Sequence, residues 1–263
     1  MKILTQPLCI KQILMDFHSN TKNQIDDSMI TKQSRVVILT GAGISAESGI
    51  RTFRDSDGLW ENHRIEEVAT PEGWRENPEL VWNFYQQRRR QLLNVEPNQG
   101  HLALEELENH LENFLLVTQN VDDLHERAGS KNLIHMHGEL AKLRCEECHH
   151  VETMMDDQHL LEEFLNCSEC DGRLRPHIVW FNEMPMQMPE IEKALSECDV
   201  FVAIGTSGHV YPAANFLHMA RNHGAYTIGI NLDPPENVYF FDEFIQGKAG
   251  EVLPFLVQKW IHE

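Results

Sequence analysis

The sequence predicts an α/β fold in which a doubly wound parallel sheet carries two insertions. Three observations predict it. Four apolar, β-rich runs recur near Val36 to Thr40, Phe114 to Thr118, Val200 to Ile204 and Tyr226 to Ile230. Amphipathic stretches lie between and after them, near Pro78 to Leu93, His101 to Leu111, Glu190 to Glu197, Ala213 to Asn222 and Val252 to Ile261. Strands alternating with helices favour a parallel sheet. Each apolar run also ends in a loop rich in glycine, threonine, serine, asparagine or aspartate. Ligands gather outside the carboxyl ends of the strands in such sheets, so four polar loops on one edge make a candidate site.

The first run feeds Gly41-Ala42-Gly43-Ile44-Ser45-Ala46, the G-x-G-x-x-A spacing of a dinucleotide-binding turn. Glycines permit a tight turn and a close approach of backbone N–H groups to a pyrophosphate, and a following helix N-terminus adds favourable partial charge. An ordinary unit of this kind continues into a long apolar-faced helix and an acidic residue for a ribose. Here Arg51 to Trp60 is polar, aromatic and rich in breakers, and it reads as a loop able to fold over a ligand. The second run feeds Gln119-Asn120-Val121-Asp122. Its Asn and Asp suit ribose hydroxyls or a carboxamide, and equally an Asx-turn with an N-cap for a helix over 121–128. His135-Met136-His137-Gly138 follows. Histidine suits a general base because its ordinary pKa lies near the working pH, although a core or metal-adjacent role fits these residues as well. The third run feeds Gly205-Thr206-Ser207-Gly208 and the fourth Asn231-Leu232-Asp233. Tyr85 and Arg88 stand at i, i+3 and share a helix face; spacing alone also allows an amphipathic helix with its arginines in water.

Composition sets the bounds. The 263 residues suffice for one large domain with a small satellite, and 41% hydrophobic with 24% charged residues is the balance of a globular protein. A net charge of −19 with no basic stripe opposes binding to nucleic acid or anionic lipid and favours basic partners such as lysine-rich protein segments. No apolar run approaches the ~20 residues of a membrane span. Residues 1–30 show no small-residue cleavage site after their short apolar patch, so the expectation is a poorly ordered extension and a cytoplasmic protein.

Of the six cysteines, Cys145, Cys148, Cys167 and Cys170 form C-x2-C … C-x2-C with eighteen residues between the pairs. That spacing is a zinc ribbon's, and four thiolates close a tetrahedral structural site. Two close pairs in a cytoplasmic chain argue against disulfides. Lys142, Arg144, Arg173 and Arg175 flank the site and are expected to offset the thiolate charge. Metal binding would supply about 10–16 kcal/mol of folding energy to a lobe poor in apolar residues.

The string from Gly41 to Arg54 resembles the first signature of the sirtuins, NAD-dependent protein lysine deacylases. Gln119-Asn120-Val121-Asp122 resembles the second, with valine in place of the commoner isoleucine, and His135-Met136-His137-Gly138-Glu139-Leu140 the third. The resemblance runs from about Arg35 to Ile261 and includes every major motif in order. It implies a Rossmann-like doubly wound parallel sheet with a small zinc-binding lobe and a helical insertion. The catalytic domain would span 31–263, with its core at 31–54, 96–141 and 176–263, the helical insertion at 55–95 and the zinc lobe at 142–175.

The resemblance also implies roles. His137, directly before glycine, would be the catalytic base. NAD, consumed as co-substrate, would be held by Gly41, Ala42, Gly43, Ala46, Thr52, Phe53, Arg54, Trp60, Gln119, Asn120, Asp122, Gly205, Thr206, Ser207, Asn231, Leu232, Asp233 and Ala249. Val179, Trp180 and Phe181 would pair with the substrate peptide as an added strand; Asn182 stands where the family usually has glycine. Tyr85 and Arg88 resemble the Tyr-x-x-Arg of class III members, which recognise acidic acyl groups. The expected reaction is removal of acetyl, succinyl or malonyl groups from protein lysines, giving nicotinamide and O-acyl-ADP-ribose. Protein mono-ADP-ribosylation, a dehydrogenase and a non-enzymatic zinc-ribbon module are the alternatives.

Overall fold

The computed structural model describes residues 30–50, 59–60, 63–154 and 164–262. The described chain opens with β1 (Arg35–Thr40) and a five-residue helix, α1 (Ala42–Ala46). A short antiparallel pair, β2 (Leu59–Trp60) and β3 (His63–Arg64), precedes α2 (Ile65–Val68), α3 (Pro71–Glu76) and α4 (Pro78–Leu92). Then come α5 (Gln99–His110), β4 (Asn113–Thr118), α6 (Leu124–Ala128) and β5 (Leu133–His135). The cysteine segment contains β6 (Gly138–Cys145), β7 (Val151–Thr153) and β8 (Leu174–Ile178). The chain continues through α7 (Met188–Glu197), β9 (Val200–Ile204), α8 (Phe216–Asn222), β10 (Tyr226–Asn231), β11 (Glu243–Gln246) and α9 (Ala249–His262). Among the described residues, no helix is long and apolar enough to cross a membrane.

The main sheet has six strands in the order β11-β10-β9-β1-β4-β5, all parallel. Strand alternation explains its two covered faces. Val36 and Ile38 of β1 join the core under α5 and α9, with Leu104, Leu107, Leu253 and Trp260. Val37 and Leu39 join the core under α7 and α8, with Ile191, Leu195, Phe216 and Leu217. Caps place the helices that frame the site. Asn77 accepts from the N–H of Leu80 at 3.1 Å to start α4, where Pro78 occupies the first helical position. Asn98 accepts from Gly100 at 2.9 Å to start α5.

Some details differ from the sequence expectation. The helix after Asp122 begins at Leu124 rather than Val121. The stretch over 213–222 splits into a 3-10 turn, Ala213–Asn215, and α8. The segment expected to be a helical insertion also holds the β2–β3 pair.

A third apolar core lies beside the sheet and belongs to both inserted segments. Trp74, Trp82, Phe84 and Tyr85 from the helices pack with Leu143, Leu174, Ile178 and Trp180 from the cysteine segment and the strand leaving it. Trp74 is fixed there by its indole N–H, which donates to Glu146 at 2.8 Å. The two inserts thus support each other, and the helix carrying Tyr85 and Arg88 is anchored on the segment expected to receive a peptide.

Candidate active site

The glycine turn is built by contact with its neighbour loop. Gly41 N–H donates to Ile204 O at 3.0 Å and Gly43 N–H to Gly205 O at 2.9 Å. A Cβ on Gly43 would lie 2.6 Å from Gly205 Cα, closer than side-chain carbons approach backbone. Gly205 has φ +61, and its own Cβ would lie 2.5 Å from Ile44 N. Glycine is therefore needed on both sides for the loops to touch. Two of the turn's N–H groups are engaged by the adjoining strand end and loop rather than left for a phosphate, a use of glycine the motif alone does not reveal.

The remaining strand-end loops are tied to this pair. Asn120 is buried and its amide donates to Gly41 O at 3.1 Å and to Ser45 Oγ at 3.0 Å. Ser45 in turn hydrogen-bonds Asp122. Burial pushes the Asp122 carboxyl up from its ordinary value, against the opposing hydrogen bonds from Ser45 and the Leu124 N–H. Gln119 Nε2 donates to Thr206 Oγ1 at 3.0 Å, and Asn231 Nδ2 to Thr206 O at 3.0 Å. Ser45 was not singled out by sequence reasoning. Its place inside the glycine turn was the available signal.

His137 follows the short edge strand β5. Its Nδ1 donates to Gln119 O at 3.0 Å, which fixes the neutral tautomer with Nε2 as the acceptor. Burial pushes its pKa below the ordinary histidine value, and the Gln119 bond opposes this only in part. The ring is thus neutral at pH 7 and able to take a proton. Gly138, at φ +82, lets the chain turn beside His177, where a Cβ would lie 2.0 Å from the carbonyl oxygen. His135 is placed differently. It bonds Asn120 O at 3.1 Å and Glu126 Oε1 at 2.5 Å and does not line the cleft.

One open cleft of roughly 760 Å³ runs along the strand ends. Every described residue expected to contact NAD lines it, as do His137, Tyr85, Arg88, Val179, Trp180 and Phe181. Thr52, Phe53 and Arg54, and the side chain of Trp60, lie outside the described residues. Val179 N–H donates to His137 O at 2.9 Å and Phe181 N–H to Ala69 O at 2.9 Å, so the segment that follows β8 is tied to the histidine and to the link between α2 and α3. Asn182 has φ +71. Asparagine tolerates this left-handed conformation better than most residues, which explains how it replaces the usual glycine.

In the wall of the cleft, Tyr85 is 0% and Arg88 6% exposed. The helix-in-water alternative for this face therefore fails; of the three consecutive arginines only Arg90 is exposed. Burial pushes the Tyr85 pKa well up, so it stays a phenol. Trp180 Nε1–H donates to its hydroxyl oxygen at 3.0 Å. Arg89 donates to Leu140 O at 2.6 Å and to Gln86 Oε1 at 3.0 Å, joining this helix to β6. Arg89 was not anticipated.

A strand-end cleft of this composition agrees with what similarity to known proteins shows. The model of the Sir2 family matches residues 41–212. The chain belongs to the Sir2 family. It is 56% identical over 235 residues to an NAD-dependent protein deacylase of Pasteurella multocida (strain Pm70), covering 88% of this chain and 100% of that one. A solved complex of a mutant Sir2 homologue with ADP-ribose superposes with a TM-score of 0.83 at 39% identity, covering 90% of this chain and 96% of that chain. A Sir2 protein bound to a myristoylated histone peptide superposes with a TM-score of 0.70 at 33% identity, over 90% and 97% of the two chains.

In this sirtuin the four cysteines converge outside the cleft. Cys145 and Cys170 Sγ lie 3.5 Å apart, Cys148 and Cys167 Sγ 3.6 Å apart, and all four sulfurs fall within 4.8 Å of one another. Four thiolates at about 2.3 Å from zinc would stand about 3.8 Å apart. The N–H groups of Glu147 and Cys148 point at Cys145 Sγ, at 3.4 and 3.5 Å. The donor set fits a closed structural zinc site. The flanking cations do not serve the thiolates as expected: Lys142 pairs with Glu139, Arg173 with Glu146, and Arg144 and Arg175 with Glu183. Each has a nearby carboxylate, and the peptide N–H groups are what approach the sulfur.

Proposed function

We propose that this sirtuin is an NAD-dependent protein-lysine deacylase that accepts succinyl and malonyl as well as acetyl groups. The observation that carries the reading is the burial of Tyr85 and Arg88 in the wall of the same cleft that holds His137. A guanidinium grips a carboxylate bidentately and a phenol adds a donor; an acetyl group still fits but gains nothing from either.

NAD, when bound, offers an electrophilic ribose carbon to the acyl oxygen and releases nicotinamide. The chain's own residues do the rest. Asn120 and Asp122, held by Ser45, would orient the nicotinamide end from the strand edge. Thr206, Ser207 and Asn231 would hold the adenosine side. His137 Nε2, neutral and aimed by Gln119, accepts a proton from a ribose hydroxyl. Val179 to Phe181 would pair with the peptide backbone, and the net charge of −19 favours lysine-rich segments over nucleic acid. A tetrathiolate zinc site suits a reducing compartment, so cytoplasmic proteins are the proposed substrates.

The test is nicotinamide release from matched succinyl-, malonyl- and acetyl-lysine peptides. Preferential turnover of the acidic acyl groups supports the reading. Turnover confined to acetyl-lysine would return Tyr85 and Arg88 to a structural role, and radiolabel passing from NAD to protein would favour ADP-ribosylation.

A further inference from the structure

The two histidines of His135-Met136-His137 are held by successive carbonyls and end in different states. His137 donates its Nδ1–H to Gln119 O and leaves Nε2 as an acceptor. His135, 8% exposed, sends Nδ1 to the next carbonyl, Asn120 O, at 3.1 Å and Nε2 to Glu126 Oε1 at 2.5 Å. A carbonyl and a carboxylate only accept, so the two bonds together need a proton on each ring nitrogen. His135 is therefore an imidazolium while His137 is neutral. Burial alone would lower the His135 pKa, but the hydrogen bond and charge of Glu126, with the charge of Glu139 and the Asn120 bond, hold it above the ordinary histidine value.

The carbonyl that His135 holds belongs to the site. Asn120 is buried, and among the described residues no backbone N–H donates to its oxygen; the imidazole supplies the bond that a buried carbonyl needs. The Asn120 N–H donates to Thr118 Oγ1 at 3.1 Å, and its side chain reaches Gly41 O and Ser45 Oγ. Asp122 follows, hydrogen-bonded to the same Ser45. Glu126 stands in α6, beyond the loop. One ring from the end of β5 thus spans the loop from Asn120 to the helix that follows it. The charged and titratable groups around that ring are Glu126 and His125 from α6, Asp122 from the loop and Glu139 from β6. Lys142 pairs with Glu139 at 2.7 Å, and burial holds His125 well below the ordinary histidine value, so it adds no charge at pH 7.

We propose that His135 is a positioning residue for the nicotinamide end of the cleft: its two ring N–H groups clip Asn120 O to Glu126 and so hold Asn120 and Asp122 in place. This rests on the reading of Asn120 and Asp122 as the residues that orient the nicotinamide. When a proton leaves His135, the Glu126 carboxylate favours the tautomer that keeps Nε2–H. Nδ1 then turns a lone pair on Asn120 O, and the bond that holds the loop is lost. In Glu126→Gln the neutral ring keeps Nδ1–H on Asn120 O, because the glutamine amide donates to Nε2. That variant should hold the loop on both sides of neutrality, and the wild type only while His135 is charged.

The test is calorimetric binding of a carbocyclic NAD analogue, which cannot release nicotinamide, and of ADP-ribose, each to the full zinc-loaded chain with an acyl-lysine peptide present. Losing a hydrogen bond from a charged donor should weaken the analogue about tenfold in His135→Leu. ADP-ribose, which has no nicotinamide, should lose far less. His135→Asn, whose amide can stand in for Nδ1–H, should recover most of the loss. Unchanged affinity in His135→Leu, or an equal loss for both ligands, would overturn the role. For the wild type, affinity for the analogue should fall as pH rises through the His135 pKa, which lies above the ordinary value of about 6.5, and it should stay level in Glu126→Gln. A level wild-type profile, or a fall that survives in Glu126→Gln, would overturn it too. Should His135→Leu not fold, this pH comparison carries the test, since the Glu126 side chain is 39% exposed and its replacement leaves the core intact. If Asn120→Ala leaves the analogue's affinity unchanged, the nicotinamide reading of the loop fails; if Asn120→Ala weakens it and His135→Leu does not, only the His135 role fails.

Discussion

Gly43→Ala tests whether the nucleotide end of the cleft depends on the contact between two loops. The added Cβ would stand 2.6 Å from Gly205 Cα and 2.8 Å from Gly205 O. Both are backbone atoms and neither can swing aside. Ordinary contact needs at least about 3.4 Å, so the loops must part by roughly 0.8 Å. Overpacking of this size costs about 1–3 kcal/mol, which for a chain this long lowers Tm by about 2–12 °C. The parting also stretches the 2.9 Å bond from Gly43 N–H to Gly205 O and shifts Thr206, on which Gln119 and Asn231 converge. Displacements near 1 Å in a positioned site cost about 100-fold in rate. The assay is nicotinamide release at fixed acyl-peptide and varied NAD, beside a thermal melt. The expected result is a rise in KM for NAD and a fall in kcat/KM of up to about 100-fold. A variant with wild-type KM for NAD and a Tm within about 1 °C would refute the loop-contact argument.

His137→Ala should lower kcat by about 10²–10⁴ while leaving Tm near wild type, checked by single-turnover assay and a melt. Burial holds the His137 pKa below the ordinary value, and a base works when deprotonated. Wild-type kcat should therefore persist through about pH 6.5 and fall only below it, as a pH–rate profile would show. Arg88→Met should reduce desuccinylation about 10- to 150-fold and deacetylation far less. Removing zinc with a strong chelator should lower Tm and expose the core around Trp74 and Trp180, read by tryptophan fluorescence; an unchanged melt would argue against a structural metal. Burial pushes the Glu183 carboxyl up, but the hydrogen bonds from Arg175 and the Trp180 N–H, with the charges of Arg175 and Arg144, together outweigh it and hold the pKa below the usual range. A group with a depressed folded pKa stabilises above its unfolded value of about 4.3 and loses that contribution as pH falls. The Tm difference between wild type and Glu183→Gln should thus be full at pH 7 and shrink below about pH 4.

The central strands were legible because Val36 to Thr40, Phe114 to Thr118, Val200 to Ile204 and Tyr226 to Ile230 are buried on both faces and read as continuous apolar runs. The edge strands were not. Leu133–His135 has three residues and Glu243–Gln246 four, with polar positions in each, and short edge strands carry little pattern. The strand-end motifs were legible as motifs, and the cleft gathers every described residue expected to contact NAD. Their mutual support was hidden, since Ser45 meets Asn120 across 75 residues of sequence and no local period encodes such a bond. The same holds for Tyr85 and Trp180, 95 residues apart. Spacing placed Tyr85 and Arg88 on one helix face but could not say whether that face met water. The tryptophans at 74, 82 and 180 decide it by filling a core between the two inserted segments.

The measurement that bears most directly on the account is mass spectrometry of the products formed from NAD and a succinyl-lysine peptide. Free lysine peptide, nicotinamide and O-succinyl-ADP-ribose are expected in equal amounts, with deacylated peptide formed about 10²–10⁴-fold more slowly by His137→Ala. Nicotinamide released while the peptide keeps its succinyl group, or ADP-ribose found attached to protein instead, would contradict it.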